Sequence, residues 1–197
     1  MSVETVQKIF NDVNPIFEKF RKTPCTEFEF RFGKMTGTTF ETNVGQATFD
    51  RVLRRLTKYQ GWESSKTHKD TVYQADGGLR LTIHENTGHS FLVNKKKLYK
   101  NDFCVPGQSF DVRFSVSAET PVKDVPDVEY NRVRQRTRQS FVRKNVTIDM
   151  TIVTGDPTDL DNEEDTEYQI EVEIIDPREV TDFYNVVHKI HNLFEIF

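Results

Sequence analysis

The chain has 197 residues, 29% of them charged and 36% hydrophobic, with a formal net charge of −4. That length supports one domain with a sizeable core, and no apolar run approaches the roughly 20 residues of a membrane span. The acidic balance argues against a protein that holds nucleic acid by overall charge alone. The charge is uneven, however: "RVRQRTRQSFVRK" is strongly basic and "DPTDLDNEEDTE" strongly acidic.

In chain order, "SVETVQKIFNDVNPIFEKF" places Val3, Val6, Ile9 or Phe10, Val13, Phe17 and Phe20 at helical spacing, with Pro15 expected to divide it into two pieces. The N-terminus lacks the basic-then-apolar layout of a signal peptide. "EFEFRF" then alternates as a strand. "QATFDRVLRRLTKYQ" is a second amphipathic helix, with Phe49, Val52, Leu53 and Leu56 on one face and Gly61 as its stop. Further strands are "GLRLTI", "FDVRFSVSAE", "EYNRVRQRTRQSF", "VTIDMTIV" and "YQIEVEI". Turn clusters separate them: "ADGG", "HENTGH", "CVPGQS", "TPVKDVPD" and the acidic loop "TGDPTDLDNEEDT". "HENTGH" is not a zinc motif, because His89 falls one residue late. The sequon at Asn145 falls in a predicted strand. "DPREVTDFYNVVHKIHNLF" is a third helix, with Asp176 as its cap and Pro177 in the first turn. Cys25 and Cys104 give no disulfide framework, point to a reducing compartment and read as small apolar filler. The chain is thus a strand-rich α+β domain with antiparallel pairing and few helices.

Strand alternation sorts these side chains by face. Glu27, Glu29 and Arg31 oppose Phe28, Phe30 and Phe32. Gln169, Glu171 and Glu173 oppose Ile170, Val172 and Ile174. Arg113, Ser115, Ser117 and Glu119 share a face, as do Arg132, Arg134, Arg136 and Arg138, and as do Thr147, Asp149 and Thr151. Arg80 opposes Leu79 and Leu81. In "FLVNKKKLY", Lys95 and Lys97 share parity with Phe91 and Val93, so periodicity leaves the inward lysines open. For any one strand, this is what a sheet with one wet face shows. Taken together, though, acids and bases are segregated by strand, whereas solvated sheet faces pair opposite charges across strands. Closely set carboxylates supply hard oxygen donors for Mg²⁺ or Mn²⁺, and rows of Arg supply forked donors for phosphate. A curved or closed sheet with a charged interior, jacketed by helices, accounts for both.

"EFEFRF" and "IEVEI" near opposite ends, with "RQRTRQSF" and "TIDMT" between them, resemble the triphosphate tunnel metalloenzymes. The nearer likeness is to the metal-dependent RNA 5′-triphosphatases of mRNA capping in fungi, protozoa and large DNA viruses. The small size fits the viral branch. The resemblance runs from Glu27 to Glu173. It implies a closed antiparallel β-barrel of eight strands and hydrolysis of the γ-phosphate from the 5′-triphosphate end of RNA. It matches Glu27, Glu29, Glu171 and Glu173 to metal ligands for Mg²⁺ or Mn²⁺. It matches Arg31, Arg80, Lys95, Arg113, Arg134, Asp149 and Thr151 to phosphate binding, and Glu119, Arg136 and Arg138 to catalysis. Glu119 either orients the attacking water, or acts as base, or merely anchors Arg113. Two departures stand out. Gln169 replaces an acid, and Thr147 stands where some members carry Arg, with Arg143 or Lys144 as compensating cations.

The resemblance implies residues 1–197 as a single tunnel domain, the N-terminal part of a longer capping enzyme. Its partners are a triphosphate-ended RNA and a guanylyltransferase domain, fused or associated, and no membrane. Its place is intracellular, in host cytoplasm or virion for a viral protein. Two rivals are a small-molecule triphosphatase of the same fold, against which Arg31 speaks where those relatives carry Lys, and a non-catalytic polyphosphate or RNA-binding module. Acids in the bore would only repel phosphate in such a module unless a metal intervened.

Overall fold

The computed structural model describes residues 1–123, 127–155 and 166–197. The helices among them are α1 (Val3–Phe20), α2 (Gln46–Lys58) and α3 (Phe183–Phe194). The strands are β1 (Thr26–Thr36), β2 (Thr39–Glu41), β3 (Ser64–Gln74), β4 (Leu79–His84), β5 (Ser90–Phe103), β6 (Asp111–Pro121), β7 (Arg132–Arg143), β8 (Val146–Thr154) and β9 (Glu167–Ile174). They form one antiparallel sheet in the order β2-β1-β6-β5-β4-β3-β7-β8-β9. β9 pairs back onto β1, with Glu29 opposite Glu173 and Arg31 opposite Glu171, which closes an eight-stranded barrel. β2 is a short flap on β1 alone. A Cβ at Gly33 would meet the Glu41 carbonyl oxygen at 2.2 Å, so this close approach requires glycine.

The hydrophobic core lies outside the barrel rather than in its bore. Phe28, Phe30 and Phe32 are fully buried on the outer face of β1. Phe17 of α1 stacks on Phe183 of α3 at 4.0 Å and meets Phe28 edge-on at 5.1 Å. Phe32 packs on Phe194 and Phe197. Each such ring contributes about 1.5–3 kcal/mol by leaving water. With their apolar residues turned outward under helices, β1 and β9 are obliged to turn their charged residues inward. No helix among the described residues is long and apolar enough to cross a membrane.

The structure corrects several sequence expectations. α1 runs unbroken through Pro15. Pro15 sits on the exposed face, so the hydrogen bond it removes is lost on the water side, while Val6, Ile9, Val13 and Phe17 pack on both sides of it. The C-terminal helix starts at Phe183, capped by Asp182. Asp176 and Pro177 instead make a single 3₁₀ turn that ends in extended backbone at the buried Val180. α2 ends at Lys58, before Gly61. Cys25 and Cys104 are both exposed, not core filler. Asn145 lies in the tight β7–β8 turn, where it and Lys144 take left-handed backbone, and not in a strand. The acidic loop after β8 and part of "TPVKDVPD" lie outside the described residues.

Candidate functional site

The bore holds a cavity of about 640 Å³. Every residue that the resemblance matches to metal binding, phosphate binding or catalysis lines it, apart from Asp149 and Thr151. Those two stand behind the lining and hold Arg138, whose Nε donates to Thr151 Oγ1 at 3.2 Å and whose Nη1 donates to Asp149 Oδ2 at 3.2 Å.

One wall is acidic because β9 and β1 meet there. Glu27 and Glu29 point inward from β1, and Glu171 and Glu173 from β9. Ser117 Oγ donates to Glu27 at 2.9 Å and Ser115 Oγ to Glu29 at 3.0 Å, both from the adjoining β6. Two cations are set among these acids. Arg31 bridges Glu29 at 3.1 Å and Glu171. Lys95 bridges Glu27 and Glu119, the latter at 2.8 Å.

The facing wall is basic. Arg134, Arg136 and Arg138 descend β7, with Arg80 on β4, across the intervening β3. Arg136 donates to the buried Asp70 at 3.4 Å. Burial and the adjacent Arg138 draw the Arg136 guanidinium down to about 10, so it remains a cation at neutral pH. Arg138 also reaches Glu171 at 3.8 Å, joining the two walls.

The register settles what periodicity left open. Lys95 and Lys97 face the bore beside Phe91 and Val93. A bulge between Lys97 and Tyr99 then shifts the parity of β5, so Lys100 and Asp102 follow on the same side. Asp102 takes both Nε and Nη2 of Arg113 at 2.6 and 2.9 Å, and the Arg113 guanidinium lies over the Phe40 ring. Glu119 therefore anchors Lys95, with Arg80 at 3.7 Å, and not Arg113. Arg143 and Lys144 do not compensate for Thr147. Arg143 lies over the Tyr59 ring outside the barrel, and Lys144 is in the turn. Thr147 donates to Asp149 at 3.1 Å. Gln169 lines the cavity and donates to Glu167 at 2.6 Å.

Sequence reasoning missed Asp70, His84 and Asp102. The whole of β3, "SSKTHKDTVYQ", carries no apolar alternation in its first half. Its only pointer was His68, Asp70, Val72 and Gln74 at even spacing.

The acidic wall is electrostatically divided. Burial works against ionisation of all four glutamates. Lys95, with its own and Ser117's hydrogen bonds, nevertheless holds Glu27 below the usual carboxylate range, and Arg31 with Arg138 does the same for Glu171. Burial and the Glu171 carboxylate push Glu29 up. Burial, Glu27 and Asp149 push Glu173 to about 8. Among the described residues no three acidic, His or Cys groups are disposed to hold a metal as they stand. Arg31 and Lys95 already engage the oxygens. Yet the donor set is one of hard oxygens, and for Glu29 and Glu173 burial and the neighbouring carboxylates outweigh the cations beside them. That chemistry fits a hard divalent cation.

The sequence profile of the mRNA capping enzyme, beta chain, matches residues 34–197. The chain belongs to this family. Among relatives, mRNA-capping enzyme subunit beta of Yarrowia lipolytica is 32% identical over 92 residues, covering 45% of this chain and 24% of that protein. The 5′RNA triphosphatase A449R of Paramecium bursaria Chlorella virus 1 is 28% identical over 158 residues, covering 76% of this chain and 75% of that one. The chain spans about a quarter of the length of the fungal capping subunits it matches. In fold it is similar to the S. pombe Pct1 RNA triphosphatase, with a TM-score of 0.74 at 17% identity over 99% of this chain and 88% of that one. The Mimivirus capping enzyme triphosphatase gives 0.63 at 16% identity, covering 96% of each chain. The capping beta-chain family and the closed eight-stranded fold agree with the resemblance read from the sequence.

Proposed function

We propose that this chain removes the γ-phosphate from the 5′-triphosphate end of RNA, the first step of mRNA capping. One observation carries the reading. The Glu-x-Glu pairs of β1 and β9, far apart in sequence, adjoin across the barrel seam and face the arginines of β7 within one cavity. Membership of the capping beta-chain family supports it, as does the name of the viral relative that this chain covers over most of its length.

Glu27, Glu29, Glu171 and Glu173 would hold Mg²⁺ or Mn²⁺. When bound, that ion would supply positive charge to offset the charge of the phosphate oxygens. The chain's own residues do the rest. Arg80, Lys95, Arg134, Arg136 and Arg138 bind the triphosphate and stabilise charge as it gathers on the departing group. Glu119 fixes Lys95 and Arg80 in place, and Asp102 fixes Arg113, so little reorganisation is needed when phosphate binds. Water attacks the γ-phosphorus and the bond to the β–γ bridging oxygen breaks. Orthophosphate and a diphosphate-ended RNA leave. An RNA end is the substrate partner. A guanylyltransferase, fused or associated, is the partner that takes the diphosphate end, and the setting is intracellular. Protein partnership in this fold has a precedent in the Pct1 complex with the Spt5 CTD.

The test offers γ-labelled triphosphate-ended RNA, ATP and inorganic tripolyphosphate to the protein with Mg²⁺ or Mn²⁺ and with chelator. Metal-dependent orthophosphate release that is fastest from RNA, leaving diphosphate ends, is the expected result. Release from tripolyphosphate alone would make this a small-molecule triphosphatase. No release from folded protein would make it a binding module.

A further inference from the structure

Phe91, at the start of β5, lines the charged cavity yet leaves 53% of its surface exposed. A lone exposed phenylalanine needs no explanation. This one, however, belongs to a row of rings that three adjacent strands bring together. His84 of β4 meets Phe91 edge-to-face at 5.2 Å, and His68 of β3 lies 6.0 Å from His84. Val72, Thr82 and Val93 continue the same sector of the bore. The His84 ring is fixed by Asp70, which also accepts from Arg136. The aromatic row therefore abuts the arginines that face the acidic wall.

A bare phosphate chain gains nothing from an exposed phenylalanine set beside Val72 and Val93. A nucleobase does, because every base offers a π-face and stacks on aromatic side chains without regard to sequence. Phe91 and Lys95 are four residues apart on β5, about 13 Å along the strand. That separation suits a triphosphate and ribose reaching from the phosphate-gripping lysine to a base at the mouth. We propose that Phe91, backed by His84, is the stacking platform for the first base of the RNA, and so favours RNA ends over inorganic triphosphates. This rests on the RNA-end reading above.

The experiment uses an RNA with 2-aminopurine as its 5′-triphosphorylated first base and a dye at its 3′ end. Dye anisotropy reports binding, and 2-aminopurine emission reports stacking. Wild type is compared with Phe91→Ala and Phe91→Trp. Emission should fall on binding to wild type and Phe91→Trp, and stay high on bound Phe91→Ala. In parallel, Phe91→Ala should raise KM for triphosphate-ended RNA about tenfold with kcat little changed, and leave KM for inorganic tripolyphosphate where it was. Undiminished emission from RNA bound to wild type overturns the platform. So does an equal rise in KM for RNA and tripolyphosphate. RNA that binds with quenched emission but is not hydrolysed overturns the triphosphatase reading and leaves the platform standing. No RNA binding by wild type overturns both.

Discussion

Glu173 shows most plainly what the acidic wall lacks. Its carboxyl is lifted from 4.5 to about 8 by burial and by Glu27 and Asp149. Between those values the folded chain holds a proton that the unfolded chain has released. Stability without metal must therefore fall as pH rises through this window. Glu29, also raised, adds in the same direction, whereas the depressed Glu27 and Glu171 act only at lower pH. Denaturant titrations in chelator should give a higher midpoint at about pH 5.5 than at about pH 8, and Glu173→Gln should flatten the difference. Added Mn²⁺ should reverse the slope, because the metal displaces the proton. Arg138 is shared by Asp149, Thr151 and Glu171. Arg138→Ala should lower kcat on triphosphate-ended RNA about a hundredfold. A loss of less than about twofold would remove it from the catalytic set.

At the scale of elements, the barrel depends on the phenylalanines that face its jacket. Phe30 is fully buried between Phe114 and Phe183. Phe30→Ala should cost about 3–5 kcal/mol by denaturant unfolding, in line with other core aromatics. Pro15 breaks one hydrogen bond on the wet face of α1. Pro15→Ala should stabilise the chain by about 1–2 kcal/mol, seen as a raised Tm. β1 and β9 were legible because each pairs an apolar face with a charged one, and β7 because arginines recur at every second position. β3 was not, because "SSKTHKD" extends where neither face is packed in the core, so its inward Asp70 leaves no periodic trace. Asp102 was hidden for another reason. The bulge after Lys97 changes the parity on which any alternation argument depends. The partner of Glu119 was likewise set by the β5–β6 register, which no single strand encodes.

The whole molecule is a barrel turned inside out, with its core under the helices and its charges in the bore. The segregation of acids and bases by strand was readable because like charges at alternate positions are costly unless something of opposite sign lies between them. What the sequence could not carry was adjacency. Only closure of β9 onto β1 brings Glu29 opposite Glu173. That closure makes a single divalent cation shared by the two strands the central expectation. The direct measurement is a Mn²⁺ titration followed by electron paramagnetic resonance, on wild type beside Glu29→Ala. One bound Mn²⁺ per wild-type chain, and its loss from the folded variant, is the expected result. Equal binding by both proteins, or none by wild type, would contradict a metal held between the two Glu-x-Glu strands.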